Sequence, residues 1–204
     1  YKSSPLSYEH KQLINQSCIF LLSARMEDYT KSLVEDLMYC YKTKGALLQN
    51  LPKNVRTKAL LDKQINHFRS YYNSSDEKSI LTKIAIDNSY YEITNNLTQF
   101  TSQVLPANII GTNKYPSIKN LKILYYRLGI SDITKELNKR AKKDITTALD
   151  SFLSLRESIA HQGAPAITFN DIQWHFENIV ETINQIDRIV YTHIRKESGE
   201  MYWP

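Results

Sequence analysis

Apolar residues recur three or four positions apart along most of the chain, the spacing that gathers side chains on one face of an α-helix. From Tyr8 to Thr43 the pattern runs through Ile14, Cys18, Leu21, Leu22, Tyr29, Leu33, Leu37 and Tyr41, which predicts one long first helix. Gly45 ends it, and Asn50 followed by Pro52 starts a second helix carried by Val55, Ala59, Leu60, Ile65 and Phe68, because proline suits a first helical turn and glycine a helix end. Asn73–Glu77 (NSSDE) reads as a turn and cap, with a third helix expected over Glu77 to Gln99. Beyond it, VLPANIIGTNKYPSIKN loses the period and gains two prolines and a glycine, so a long loop is expected over about 104–117. A short helix from Ser117 to Leu128 follows, closed by Gly129.

Leu137, Ala141, Ile145, Ala148, Phe152, Leu155 and Ile159 then hold helical spacing. They predict one continuous helix of roughly 30 residues, capped at Ser131 and stopped by Gly163 and Pro165. Thr168 and Asp171 have the form of a capping box. After it, Ile172, Phe176, Ile179, Ile183, Ile186 and Val190 form the most regular stripe in the sequence, on a final helix. Amphipathic helices, few glycines and no alternating strand pattern indicate an all-α fold, an antiparallel bundle of four or five main helices. A length of 204 residues suits a single domain over 1–204.

Composition changes this picture little. Apolar residues are 42% and charged residues 23% of the chain, ordinary for a globular protein. No apolar run is long enough to cross a bilayer and the N-terminus lacks the regions of a signal peptide, so a cytoplasmic protein is expected. The start at Tyr1 rather than methionine suggests a piece trimmed or cut from a longer chain. Cys18 and Cys40 on one helix would stand about 33 Å apart, beyond disulfide reach. Both are expected as buried, reduced thiols, and no metal or other cofactor is expected from the ligand spacing. In that setting the Asn-x-Ser/Thr triplets at Asn15, Asn73 and Asn96 carry no glycosylation meaning. The net charge of +5 favours polyanions without choosing one.

The candidate chemistry lies at the end of the long helix, in RESIAHQGAPAITFNDI, where Arg156 and His161 enclose four residues. Spacing alone is weak support, since Arg188, IVYT and His193 repeat it in the middle of the final helix, where packing is the expected role. His161 differs in falling in a last helical turn, where unsatisfied carbonyls favour a positive charge and a histidine exchanges protons near neutral pH. Arginine adds a permanent planar donor array suited to a phosphate and to its transition state. One copy is awkward, because five residues separate the pair by about 7.5 Å along the axis. A two-fold dimer that pairs the same helix end from each chain would surround one cleft with both groups, so a homodimer is expected. Lys135, Lys139, Lys142 and Lys143 share a sector opposite the apolar stripe, a possible track for RNA backbone. Of the adjacent tyrosines 71–72, 90–91 and 125–126, one of each pair is expected to pack and the other to point outward. His10, His67 and His175 lack partners at a telling spacing and read as surface or boundary residues.

RESIAHQGAPAITFNDIQWHFENIVETINQID resembles the C-terminal half of a HEPN domain of the RiboL-PSP type, with its R-x4-6-H motif, short Gly/Pro loop and opening of the last helix. FLLSARMEDYTKSLVEDL, from Phe20 to Leu37, is similar to that family's first helix, and YPSIKNLKILYYRLGI resembles its short middle helix. The resemblance implies a metal-independent endoribonuclease, a toxin or phage-defence effector, with Arg156 and His161 as the catalytic pair at a dimer interface. It further implies RNA as substrate, a neutralising antitoxin or other defence protein as partner, and Glu27 as a residue that can orient the arginine. Glu157 stands where the family usually has Asn, Asp or His, and Gln162 where it usually has glycine. A carboxylate beside an RNA phosphate is unfavourable, and Glu157 is open to two readings: an accessory residue that accepts a hydrogen bond and orients a neighbour, or a partner of Arg156 in the free protein. A catalytically inactive HEPN module that binds RNA or a partner protein is therefore the alternative reading, since fold does not settle function.

Overall fold

The structure, a computed structural model, describes residues 7–73, 76–86, 92, 94–100, 104–111, 117–161 and 165–203. Tyr90, Tyr91, Gln162 and Gly163, the side chains of His67, Phe68, Tyr71 and Tyr72, and residues 74–75 and 112–116 of the expected turn and loop lie outside the described residues. The α-helices bounded within the described residues are α1 (Tyr8–Thr43), α2 (Lys53–Asn73), α3 (Glu77–Ile86), α4 (Pro106–Ile110), α5 (Ile118–Arg127), α6 (Ile133–Ala141), α7 (Ile145–His161) and α8 (Phe169–Glu197). The fold is all-α and of bundle type, as the periodicity indicates. Extended pairing among the described residues is limited to the isolated Leu47–Gln99 bridge.

Three boundaries differ from the sequence expectation. The third helix is described over Glu77–Ile86, Glu92 is also helical, residues 87–91 and 93 lie outside the described residues, and by Thr94–Phe100 the chain is in turns and a bridge. There the N–H groups of Leu48 and Gln49 donate to the carbonyls of Thr98 and Asn96. Within the expected loop, Pro106 opens the short helix α4, and the Arg127 guanidinium donates to its last carbonyls, Ile109 at 2.7 Å and Ile110 at 3.0 Å. The continuous helix through Ala141 is two helices instead. Lys142 takes a left-handed conformation (φ 54°), and Asp144 restarts the chain by accepting from the Thr147 N–H at 3.1 Å and the Thr147 hydroxyl at 2.6 Å.

The chain divides into two compact units. Unit 1 holds residues 1–31, 114–122 and 132–189. Its apolar core is built from Ile19 and Met26 of α1, Leu137 of α6, Ile145, Leu149 and Phe152 of α7, and Ile179 and Ile186 of α8. Unit 2 holds residues 32–113, 123–131 and 190–204. There Leu37 and Tyr41 of α1, Val55 of α2, Leu124 and Tyr125 of α5, and Val190 and Ile194 of α8 are buried. Tyr126 beside Tyr125 is exposed, the split expected of adjacent tyrosines on a helix. Gly129, at φ 100°, lets α5 end against His193, whose Nε2 would stand 2.7 Å from any added Cβ.

The buried faces are not always the predicted ones. In the first half of α1, Ile14 and Leu21 are exposed while Ile19, Ser23 and Met26 are buried. On α8, Phe176 is 54% exposed, and His175, Ile179, Thr182 and Ile186 form the covered row. α8 carries apolar residues over too wide an arc for one neighbouring layer to cover, so packing selects which part is hidden. Cys40 is buried as expected, whereas Cys18 is half-buried.

Candidate functional site

α7 places the candidate residues. Ile145, Ala148, Leu149 and Phe152 anchor its first half in unit 1, and the helix then runs outward so that Arg156, Glu157 and His161 are all exposed. His161 is the last helical residue. The chain is next pinned at Ile167, whose side chain is buried and whose backbone is held by α1. Gln12 Nε2 donates to the Ile167 carbonyl (3.1 Å) and Asn15 Nδ2 donates to the same oxygen (2.7 Å), while the Ile167 N–H donates to Gln12 Oε1 (2.8 Å).

The predicted capping box forms immediately beyond. The Thr168 N–H donates to Asp171 Oδ2 (2.8 Å), and the Asp171 N–H donates back to the Thr168 hydroxyl (3.2 Å). The Thr168 hydrogen bonds hold the Asp171 carboxyl below its ordinary range. One turn on, His175 is buried with its Nδ1 lacking a hydrogen-bond partner among the described residues. This corrects the surface or boundary role expected for it. Its ring lies 5.6 Å from Phe152 and 4.8 Å from Trp174, centroid to centroid. Burial pushes its pKa down, and the Asp171 charge opposes this in part.

Arg156 points at α1. Its guanidinium carbon lies over the Phe20 ring, 5.9 Å from the centroid, within cation–π range. Of the two readings of Glu157, the pairing with Arg156 does not occur: the described residues show no ion pair between them, and the arginine takes the aromatic face instead. Glu27 pairs with Lys31, one turn along α1. The four lysines do not share one helix face. Lys135 and Lys139 stand on α6, whereas Lys142 and Lys143 form the elbow between α6 and α7, where the Lys143 ammonium donates to Asn178 Oδ1 at 3.4 Å. At about 1.5 Å per residue the 17 residues of α7 put that elbow about 25 Å from His161. The second arginine–histidine spacing has the packing role expected for it. His193 is partly buried with Nε2 3.1 Å from the Leu128 carbonyl, and burial pushes its pKa down.

A family model described as RiboL-PSP-HEPN matches residues 1–192, which include α1, the elbow, α7 and most of α8. The chain belongs to this family. No curated protein and no solved structure matches it at a significant level. As a HEPN domain the chain has an RNA-related, ribonuclease-type function at the level of its family. No helix among the described residues is long and apolar enough to cross a membrane. Sequence reasoning missed three residues that shape this HEPN helix end, Phe20, Gln12 and Asn15. Their partners lie more than a hundred residues away along the chain, and no linear motif links them.

Proposed function

We propose that the protein is a metal-independent endoribonuclease, acting as a toxin or phage-defence effector, with Arg156 and His161 as its catalytic pair. The observation that carries this reading is the exposure of both side chains at one end of α7, on a chain that belongs to a HEPN family. His161 takes the proton of an RNA 2′-hydroxyl as that oxygen attacks the adjacent phosphorus. Arg156 stabilises the charge that grows on the non-bridging oxygens. The bond to the 5′-oxygen breaks, that oxygen takes up a proton, and the products carry a 2′,3′-cyclic phosphate and a 5′-hydroxyl. Lys135, Lys139, Lys142 and Lys143 contact the RNA backbone away from the scissile bond, through charge rather than sequence.

A homodimer completes the site in this reading. Phe169, Trp174, Phe176 and Val180 leave apolar surface uncovered on the unit that carries the α7 end, which a second copy would bury. That copy would bring a second Arg156 and His161 to the same cleft. Its protein partner in this reading is a neutralising antitoxin or other defence protein. The test is incubation of the purified protein with total RNA in EDTA, with the chemistry of the cut ends read directly. His161→Ala abolishes cleavage while the helical CD spectrum and the solution mass stay unchanged. Activity retained by that variant overturns the assignment. No cleavage by the unaltered protein, even in excess, favours the inactive RNA-binding or partner-binding module, a reading to which the exposed Glu157 carboxylate beside Arg156 lends weight.

A further inference from the structure

We infer that Phe20 is a positioning residue for the site, holding the Arg156 guanidinium against the face of its ring. The inference rests on the catalytic reading of Arg156 given above. Phe20 is 39% exposed on α1, and the guanidinium carbon sits 5.9 Å from its ring centroid. Both residues belong to unit 1. An exposed arginine otherwise samples many rotamers. A ring face removes part of that freedom in advance without consuming any of the donors. That distinction matters chemically. A carboxylate partner such as Glu157 would occupy the N–H fork that a phosphate needs and would lower the net charge of the site, whereas Phe20 leaves the edge of the guanidinium open and its charge whole.

The α1 contacts anchor the helix that carries the ring. Phe20 sits beside the fully buried Ile19, and two turns earlier Gln12 and Asn15 clamp Ile167. Residue numbers fall along α1, from Phe20 to Gln12, as they rise from Arg156 to Ile167. α1 and the end of α7 therefore run antiparallel in unit 1, and the same stretch of α1 sets the arginine and the chain beyond His161. The neighbouring ion pair between Lys31 and Glu27 leaves the orienting role that the family pattern assigns to Glu27 open to an aromatic ring.

Two substitutions separate the ring face from its volume. Phe20→Leu keeps an apolar side chain and loses the π face, and Phe20→Trp keeps the face and strengthens it. Phe20→Leu is expected to lower kcat about two- to fivefold with KM little changed, the effect of losing a contact of this class. Phe20→Trp is expected to match or exceed the native enzyme. Side-chain NMR of Arg156, assigned with Arg156→Lys, reads the contact without any assay. The arginine Hδ and Hε resonances lie upfield under the ring current, and move downfield in Phe20→Leu alone. An unaltered kcat in Phe20→Leu, or an Arg156 resonance that the ring does not shift, overturns the inference. If Arg156→Ala leaves cleavage intact, the catalytic reading itself falls. If Arg156→Ala abolishes cleavage and Phe20→Leu does not affect kcat, the positioning role alone falls.

Discussion

His175 sits inside unit 1 against Phe152 with no hydrogen-bond partner on Nδ1 among the described residues, so a proton on its ring becomes a charge in an apolar setting. Its folded-state pKa is lowered by that burial, and the pKa of His193 is lowered in the same way. Between the folded value and the ordinary value of about 6.5, the unfolded chain binds more protons than the folded one. This contribution to stability is therefore complete above the ordinary value and is lost as pH falls through it. Thermal melts at pH 7.5 and 5.5 should show a lower melting temperature at the acid end, with a smaller drop in His175→Gln. An identical drop in the variant would remove His175 as a cause. The sequence misled here because a histidine surrounded by polar and aromatic letters carries no sign of burial. The helix face that hides it is chosen by Phe152, 23 positions away.

At the scale of elements, the break between α6 and α7 is the main departure from the hydrophobic pattern. The apolar spacing from Leu137 through Ala141 to Ile145 is uninterrupted, yet the backbone reverses hand at Lys142. The signal was present in Asp144 and Thr147, a helix start of the same kind as Thr168 and Asp171, and it outweighs periodicity because a cap satisfies donors that an unbroken helix would bond elsewhere. A left-handed lysine is strained relative to glycine. Lys142→Gly should therefore stabilise the fold by up to about 1 kcal/mol, less the added freedom of glycine in the unfolded chain. Asp144→Ala should lower the denaturation midpoint. Chemical denaturation followed by CD checks both, and destabilisation by Lys142→Gly would show that the left-handed turn carries no strain.

At the scale of the molecule, the proposed cleft is shared by two chains, since an axial offset of about 7.5 Å along α7 makes one copy of Arg156 and His161 an awkward fit to one phosphate. Specific activity should then fall on dilution, in step with loss of a species of twice the 23.8 kDa chain mass. Mass photometry or ultracentrifugation beside the cleavage assay measures both. Constant specific activity from a monomer would exclude a shared site. With the exposed Phe169 and Phe176 at the proposed interface, Phe176→Lys should shift the same curve to higher protein concentration, and an unshifted curve would place that interface elsewhere.

Periodicity, glycines, prolines and capping letters were enough to determine an all-helical chain, the length of α1, the start of α8 and the placing of Arg156 and His161 at a helix end. These are local properties, decided within a turn or two of each residue. Tertiary structure alone decided which arc of α1 and α8 is covered, that His175 is inside, and that Phe20 rather than Glu157 or Glu27 meets Arg156. Each of those outcomes depends on side chains from helices far apart in sequence competing for the same buried volume, and nothing in the linear order records which of them wins.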